Sequence, residues 1–195
     1  MIRTYECIDN PERPIKNNEI LTNPKLMADY AKDGRYVSLP VVPMIPICLG
    51  VKFENGRTAY PIYDDICDIK LDMDYSKDEY MAMLKAIEIL GEEKTVIEIR
   101  GPISVLDNLL GATKVMKAMR KRRDVLKDLY AELTYIYTDY IRNFLYKGVK
   151  VFSFTESILD PKVLGPREVG NYVDDFLLNF LKEVEKLAGE YKFTL

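Results

Sequence analysis

From residue 95 onward the chain alternates. TVIEIR reads as a strand, GPISVLDNLLG and a long stretch to Lys147 as helices, VKVFSFTES as a strand, REVGNYVDDFLLNFLKEVEKLAG as a helix and YKFTL as a last strand. This order constrains the fold more than any other feature, because strands separated by whole helices run parallel and are joined by right-handed crossovers. In such sheets chemistry collects at the carboxyl ends of the strands. Arg100 closes the first strand, just before the forced turn Gly101-Pro102, and Glu156 closes the second. The expectation is an α/β fold in which Arg100 and Glu156 face one mouth, with Asn108, in the segment after the turn, as a third pocket residue. Strand alternation sets Glu98 and Arg100 opposite Ile97 and Ile99, and Ser153 and Thr155 opposite Phe152, Phe154 and Glu156. The alternative to a ligand pocket is an Arg100–Glu156 ion pair closing the rim, which by itself says little about stability or catalysis.

Upstream, residues 1–35 read as irregular apart from a short helix after Thr22-Asn23-Pro24, where proline suits the first helical position. In PVVPMIPICLG three prolines restrict regular sheet to the beginning of the run. VKFENGRTAYPI reads as a β-hairpin, with Asn55-Gly56 suited to a type I′ turn. SKDEYMAMLKAIEILG reads as a helix with a Ser76/Glu79 capping box, an apolar face of Met81, Leu84, Ile87 and Leu90, and Gly91 as its stop. Between about Thr113 and Lys147, Leu126, Tyr130, Leu133, Tyr137, Ile141 and Phe144 recur at helical spacing and are expected in the core.

Several function classes are excluded or disfavoured. The chain has no histidine among its 195 residues, so neither a Ser-His-Asp nor a Cys-His centre nor a His-containing metal site can be built from it alone. Cys7, Cys48 and Cys67 are far apart, which argues for a reduced compartment and against a disulfide framework or a structural zinc site. A formal net charge of −3 offers no broad attraction to nucleic acid, and the basic run KAMRKRRDVLK reads as a solvated face or a helix junction. With no apolar run of membrane-spanning length and no signal-peptide pattern, a cytoplasmic location and no membrane partner are expected.

Four motifs in order carry a family resemblance. PMIPICLGVKFENG, GPISVLDNLLG, the strand-and-acid run GVKVFSFTES, and Leu164-Gly165-Pro166 with Val169 resemble the uroporphyrinogen decarboxylase superfamily, which includes the cobamide-dependent methyltransferases. The likeness spans roughly residues 36–195. It implies a TIM barrel of which this chain supplies about half, as a single partial-barrel domain with an N-terminal hairpin. Two departures speak against decarboxylation by this chain alone. Aligning on Leu49-Gly50 puts Val41 where decarboxylases carry the aspartate that binds pyrrole NH groups, and Gly34-Arg35-Tyr36 is too close to the next segment to be their arginine-rich loop. The methyltransferase branch uses zinc to make a thiolate, and the resemblance places its His-x-Cys ligands just after the strand matching YKFTL, where this sequence stops.

These readings imply part of a corrinoid-linked methyltransferase acting on a small methylated substrate or thiol. The alternatives are a non-catalytic half-barrel interaction subunit and a tetrapyrrole decarboxylase. No cofactor is expected within the chain itself, and zinc or corrinoid would enter only in an assembly. The expected partners are a second copy, a second half-barrel chain or a corrinoid protein, since an open half-barrel exposes a strand edge.

Overall fold

The computed structural model describes residues 19–31, 37–38, 44–54, 58–156, 158–159 and 161–195. Three parallel strands form its main sheet: β1 (Val37–Ser38), β4 (Thr95–Arg100) and β5 (Val151–Thr155), in the order β1-β4-β5. The register pairs Ile97 with Phe152, Glu98 with Ser153, Ile99 with Phe154 and Arg100 with Thr155. On the far side of β5 the expected last strand contributes a parallel bridge from Val151 to Thr194, with Thr194 exchanging backbone hydrogen bonds with Phe152 and Lys150. YKFTL is therefore a strand only at its pairing point. The architecture is α/β with parallel strands and crossover helices, and the described residues do not form a closed barrel.

The N-terminal part is more regular than its sequence suggests. Two helices, α1 (Glu19–Thr22) and α2 (Pro24–Ala31), are separated by Asn23, whose side chain accepts from the amides of Lys25 and Leu26 and so caps the helix that Pro24 begins. The proline-rich run holds a helix, α3 (Met44–Cys48), with every residue buried. Pro46 is tolerated because it sits in the first turn, where amides lack intrahelical acceptors. Gly50, at φ 93°, closes α3 by donating to Ile47 while Val51 donates to Pro46, a Schellman arrangement that requires the left-handed conformation.

The hairpin forms from β2 (Lys52–Glu54) and β3 (Thr58–Tyr60), with Glu54 paired to Thr58. The type I′ turn expected at Asn55-Gly56 lies outside the described residues.

In α4 (Asp78–Leu90) the capping box does not form. Ser76 bonds back to Asp74 through both its amide and its hydroxyl, which leaves Lys77 at the cap position. The helix also buries a different face, through Tyr80, Ala82, Met83, Ala86 and Ile87, while Met81 is exposed. Tyr80 turns the face because its ring packs on Tyr75, Tyr140 and Phe144.

The long helical stretch is three helices: α5 (Pro102–Leu110), α6 (Ala112–Lys121) and α7 (Arg123–Tyr146). The basic run falls at the α6–α7 break, where Arg122 leaves helical geometry at φ −134° and ψ 45°. On α7 the six apolar and aromatic residues expected in the core are all buried. After β5 come α8 (Pro161–Leu164), then α9 (Pro166–Tyr172) and α10 (Leu178–Glu190). A π-helical turn, Val173–Leu177, joins the last two. It places Phe176, fully buried, against Tyr130, Tyr137, Phe154, Tyr172 and Phe180, with centroids 5.5–6.1 Å apart. Asp175 of the same turn accepts two hydrogen bonds from Arg123 and one ion pair from Lys127, tying the turn to the start of α7.

Phe176 thus joins the sheet, α7 and the C-terminal helices. Phe176→Ala is expected to lower unfolding stability by about 3–5 kcal/mol, measured by denaturant unfolding, because the cavity lies where several elements meet.

Candidate functional site

The face of β4 and β5 turned away from α7 and α10 is polar, carrying Glu98, Arg100, Ser153 and Thr155 in paired register. The opposite face sends Phe154 into ring contacts with Tyr137 of α7 and Phe176 and Phe180 of the C-terminal helices. Alternation alone separates these two faces. On the polar face Thr155 donates to Glu98 Oε1 at 2.9 Å, and Arg100 Nε lies 3.7 Å from the same oxygen. That separation is an ion pair without a hydrogen bond, and among the described residues the buried Nε–H has no hydrogen-bond acceptor.

Glu156 does not pair with Arg100. Its carboxylate turns onto the first turn of α5: Oε2 accepts from the Ile103 amide at 2.9 Å and the Ser104 amide at 3.3 Å, and Oε1 accepts from the Ser104 hydroxyl at 2.5 Å. Gly101 offers no side-chain cap of its own, so Glu156, at the end of the neighbouring strand, performs that role. The helix dipole favours an anion at this point, which is why the carboxylate goes to α5 rather than to the guanidinium.

The Gly-Pro turn follows from the same contact. A Cβ built on Gly101 would stand 2.4 Å from Glu156 Oε2 and 2.9 Å from its Cβ and Cδ, so only glycine leaves room. Gly101 also donates to the Thr155 carbonyl at 2.7 Å, extending the sheet by one bond, and Pro102 starts the helix where no amide is needed.

Asn108 lies one helical turn beyond Ser104 and donates its amide to the Ser104 carbonyl. Of the three expected pocket residues, the structure therefore joins Asn108 and Glu156 around Ser104 and leaves Arg100 on the polar sheet face. Sequence reasoning missed Ser104 and Gly101. The signal was present in the close succession of Gly101, Pro102 and Ser104, a helix start with no acidic cap of its own.

Burial raises the Glu156 carboxyl above its ordinary value, and the hydrogen bonds from Ser104 and Ile103 oppose that rise. The hydroxyls of Tyr130, Tyr137 and Tyr172 are raised first by burial and then by the charge of Glu156. Among the described residues, neither Tyr137 nor Tyr172 has a hydrogen-bond partner for its buried hydroxyl.

The described residues do not fit a zinc site. No group of three or more His, Cys, Asp or Glu stands close enough to hold a metal among the described residues. Cys48 is buried, its thiol pushed up to about 12 mainly by desolvation, and Cys67 is exposed with Arg122 Nη2 at 3.1 Å from its sulfur. Val41 and the Gly34-Arg35-Tyr36 run lie outside the described residues. Among those residues, no helix is long and apolar enough to cross a membrane.

Parallel strands with crossover helices, and polar side chains gathered at the carboxyl ends of β4 and β5, define an α/β protein. The family model described as uroporphyrinogen decarboxylase (URO-D) matches residues 41–195, and the chain belongs to that family. No curated protein and no solved structure gives a significant match.

Two outcomes follow from the Glu156 contact. Gly101→Ala is expected to cost about 1–3 kcal/mol of unfolding stability through overpacking, and to shift the Ile103 and Ser104 amide resonances. The raised Glu156 pKa means that the folded state holds a proton which the unfolded state has already released. Its contribution therefore makes stability fall as pH rises from about 4.5 through the raised value. Glu156→Gln should remove that part of the slope in unfolding midpoints measured across pH; an unchanged slope would exclude Glu156 as its source.

Proposed function

We infer that this chain is the ligand-anchoring part of a URO-D-type barrel serving corrinoid-linked methyl transfer. It would hold a small methylated substrate or thiol acceptor by an anionic group, with a second barrel chain and a corrinoid protein supplying the rest. The observation that carries the reading is Arg100. It stands at the carboxyl end of β4, on a polar sheet face, with a buried Nε–H that lacks an acceptor and a carboxylate too far away to supply one. A guanidinium in that setting suits a carboxylate or sulfonate, because its planar fork pairs bidentately with such groups. A ligand anion would compete with Glu98, which already accepts from Thr155.

Chemistry beyond anchoring is assigned to the assembly. Glu156 is occupied in holding α5, and among the described residues the Cys48 and Cys67 thiols do not stand where a metal site can form, so no methyl-transfer step is routed through them. The decarboxylase reading gains nothing from this geometry, since one arginine on the strand face does not match a substrate carrying several carboxylates.

The second reading is a non-catalytic interaction subunit, and the sheet edge favours it. Beyond β5 the sheet continues only through the bridge at Thr194, so backbone groups of residues 192–195 are positioned to pair with a further strand. Light scattering across a concentration series tests this reading directly. Self-association that is lost when Phe193 is replaced by proline would support it.

For the anchoring reading the probe is 3-mercaptopropionate, titrated while the amide resonances of residues 98–103 are followed. Parent protein should bind saturably, Arg100→Ala should weaken binding at least tenfold, and Arg100→Lys should fall between them. Equal binding by parent and Arg100→Ala removes the anchoring role. Binding that persists while a reconstituted assembly fails to demethylate methylcobalamin would leave the anchor but exclude methyl transfer.

A further inference from the structure

We propose that Glu98 is a charge filter on the Arg100 anchor: held beside the guanidinium by Thr155, it admits a ligand with one anionic group and rejects a ligand with two. The inference rests on the anchoring reading of Arg100 and adds to it the class of ligand that the site takes.

Three side chains build the filter, all on the polar face of β4 and β5. Glu98 and Arg100 are two positions apart on β4, so they leave the strand on the same side. Thr155 stands across from Arg100 in the register of β5. Its hydroxyl donates to Glu98 Oε1 at 2.9 Å, a diagonal contact from one strand to the earlier residue of the other. The same oxygen lies 3.7 Å from Arg100 Nε, close enough for attraction and too far for a hydrogen bond. Thr155 thereby draws Oε1 toward β5. Among the described residues, the buried Nε–H is left without an acceptor.

That separation decides what a ligand meets. An oxygen that accepts from Nε–H takes the place which Glu98 Oε1 stands back from, and it then has a second carboxylate as its neighbour. The Glu98 side chain is 12% exposed and that of Arg100 32%, so little water screens the carboxylate while the guanidinium stays within reach of a ligand. A first anionic group is bound by the planar fork of the guanidinium. A second one gains repulsion from Glu98 and meets no further cation on this face, where the polar positions of β4 and β5 are Glu98, Arg100, Ser153 and Thr155. A repulsive element of this kind separates two ligands without improving the contacts of either.

Thr155 acts through Glu98 and is a positioning residue. Removing its hydroxyl weakens the hold on Oε1 and favours closure of the carboxylate onto Nε–H, which shuts the anchor to ligands of either charge. Serine supplies the same donor.

The probes are 3-mercaptopropionate and mercaptosuccinate, which differ by one carboxylate, titrated while the amide resonances of residues 98–103 are followed. Parent protein is expected to bind the monocarboxylate about tenfold more tightly than the dicarboxylate. Glu98→Gln keeps the shape and an acceptor for Thr155, and should bring the two affinities within about threefold of each other, the dicarboxylate gaining more. Thr155→Val should weaken both ligands by about threefold and keep their ratio, and Thr155→Ser should restore the parent affinities. If Glu98→Gln fails to fold, the ratio in the parent and the two Thr155 variants decide the matter. Equal affinities in the parent, a ratio that Glu98→Gln leaves unchanged, or Thr155→Ser binding no better than Thr155→Val overturns the filter while Arg100 remains the anchor. Parent protein that binds neither probe, or binds both as Arg100→Ala does, removes the anchoring reading itself and the filter with it.

Discussion

The contact between the Glu156 carboxylate and the first turn of α5 is the constraint around which the rest of this structure is arranged. A helix that starts directly from a strand has no room for a capping side chain of its own, and α5 begins with Gly101 and Pro102, neither of which can cap it. The orphan amides of Ile103 and Ser104 are satisfied from the neighbouring strand instead. One carboxylate thereby ties the end of β5 to the first turn of α5 and constrains the identity of residue 101. Hydrogen bonds to a charged group in a largely desolvated place contribute roughly 1.5–3 kcal/mol each, against the cost of burying the charge. The raised carboxyl pKa shows which way that balance leans.

Behind this contact the aromatic layer sets the position of everything C-terminal to β5. Phe176 stacks on both Phe154 and Phe180, Phe154 and Phe180 are tilted by 34°, and Tyr137 meets all three nearly edge-on. Offset and edge-on arrangements of this kind are favoured by the ring quadrupoles. Phe176 and Phe180 share a face at i,i+4 spacing, while Asp175 of the π-helical turn reaches Arg123 and Lys127. Asp175 is almost wholly covered, and its pairing with Arg123 holds its carboxyl below the ordinary value.

Membership of the URO-D family defines the frame and not the chemistry, because one barrel supports different reactions. What distinguishes this member is how its few charged groups near the strand ends are used. Glu156 serves the fold, Arg100 keeps an unmet donor on the polar face, and the cysteines are dispersed. These features are what the proposed anchoring of an anionic group is built on.

The alternation of strands and helices after residue 95, the buried stripe of α7 and the separation of polar and aromatic faces on β4 and β5 were all legible in the sequence. They depend on periodicity and on local propensity, which a linear chain displays directly. Boundaries set by competition were not legible. Ser76 had Asp74 as a nearer partner than its expected capping box, and Pro46 proved compatible with a helix because it falls in the first turn. The break at Arg122 and the π turn at Val173 also left no periodic mark. Above all, the partner of Glu156 could not be read. Arginine is the obvious mate for a glutamate in one dimension, but a helix N-terminus is formed only when the backbone folds. Sequence by itself determined which residues could be inside, which strands would be parallel and where charge would stand at their ends. Only the tertiary structure decided which donors that charge would meet, because backbone amides carry no signature in the sequence and acquire their direction from the fold.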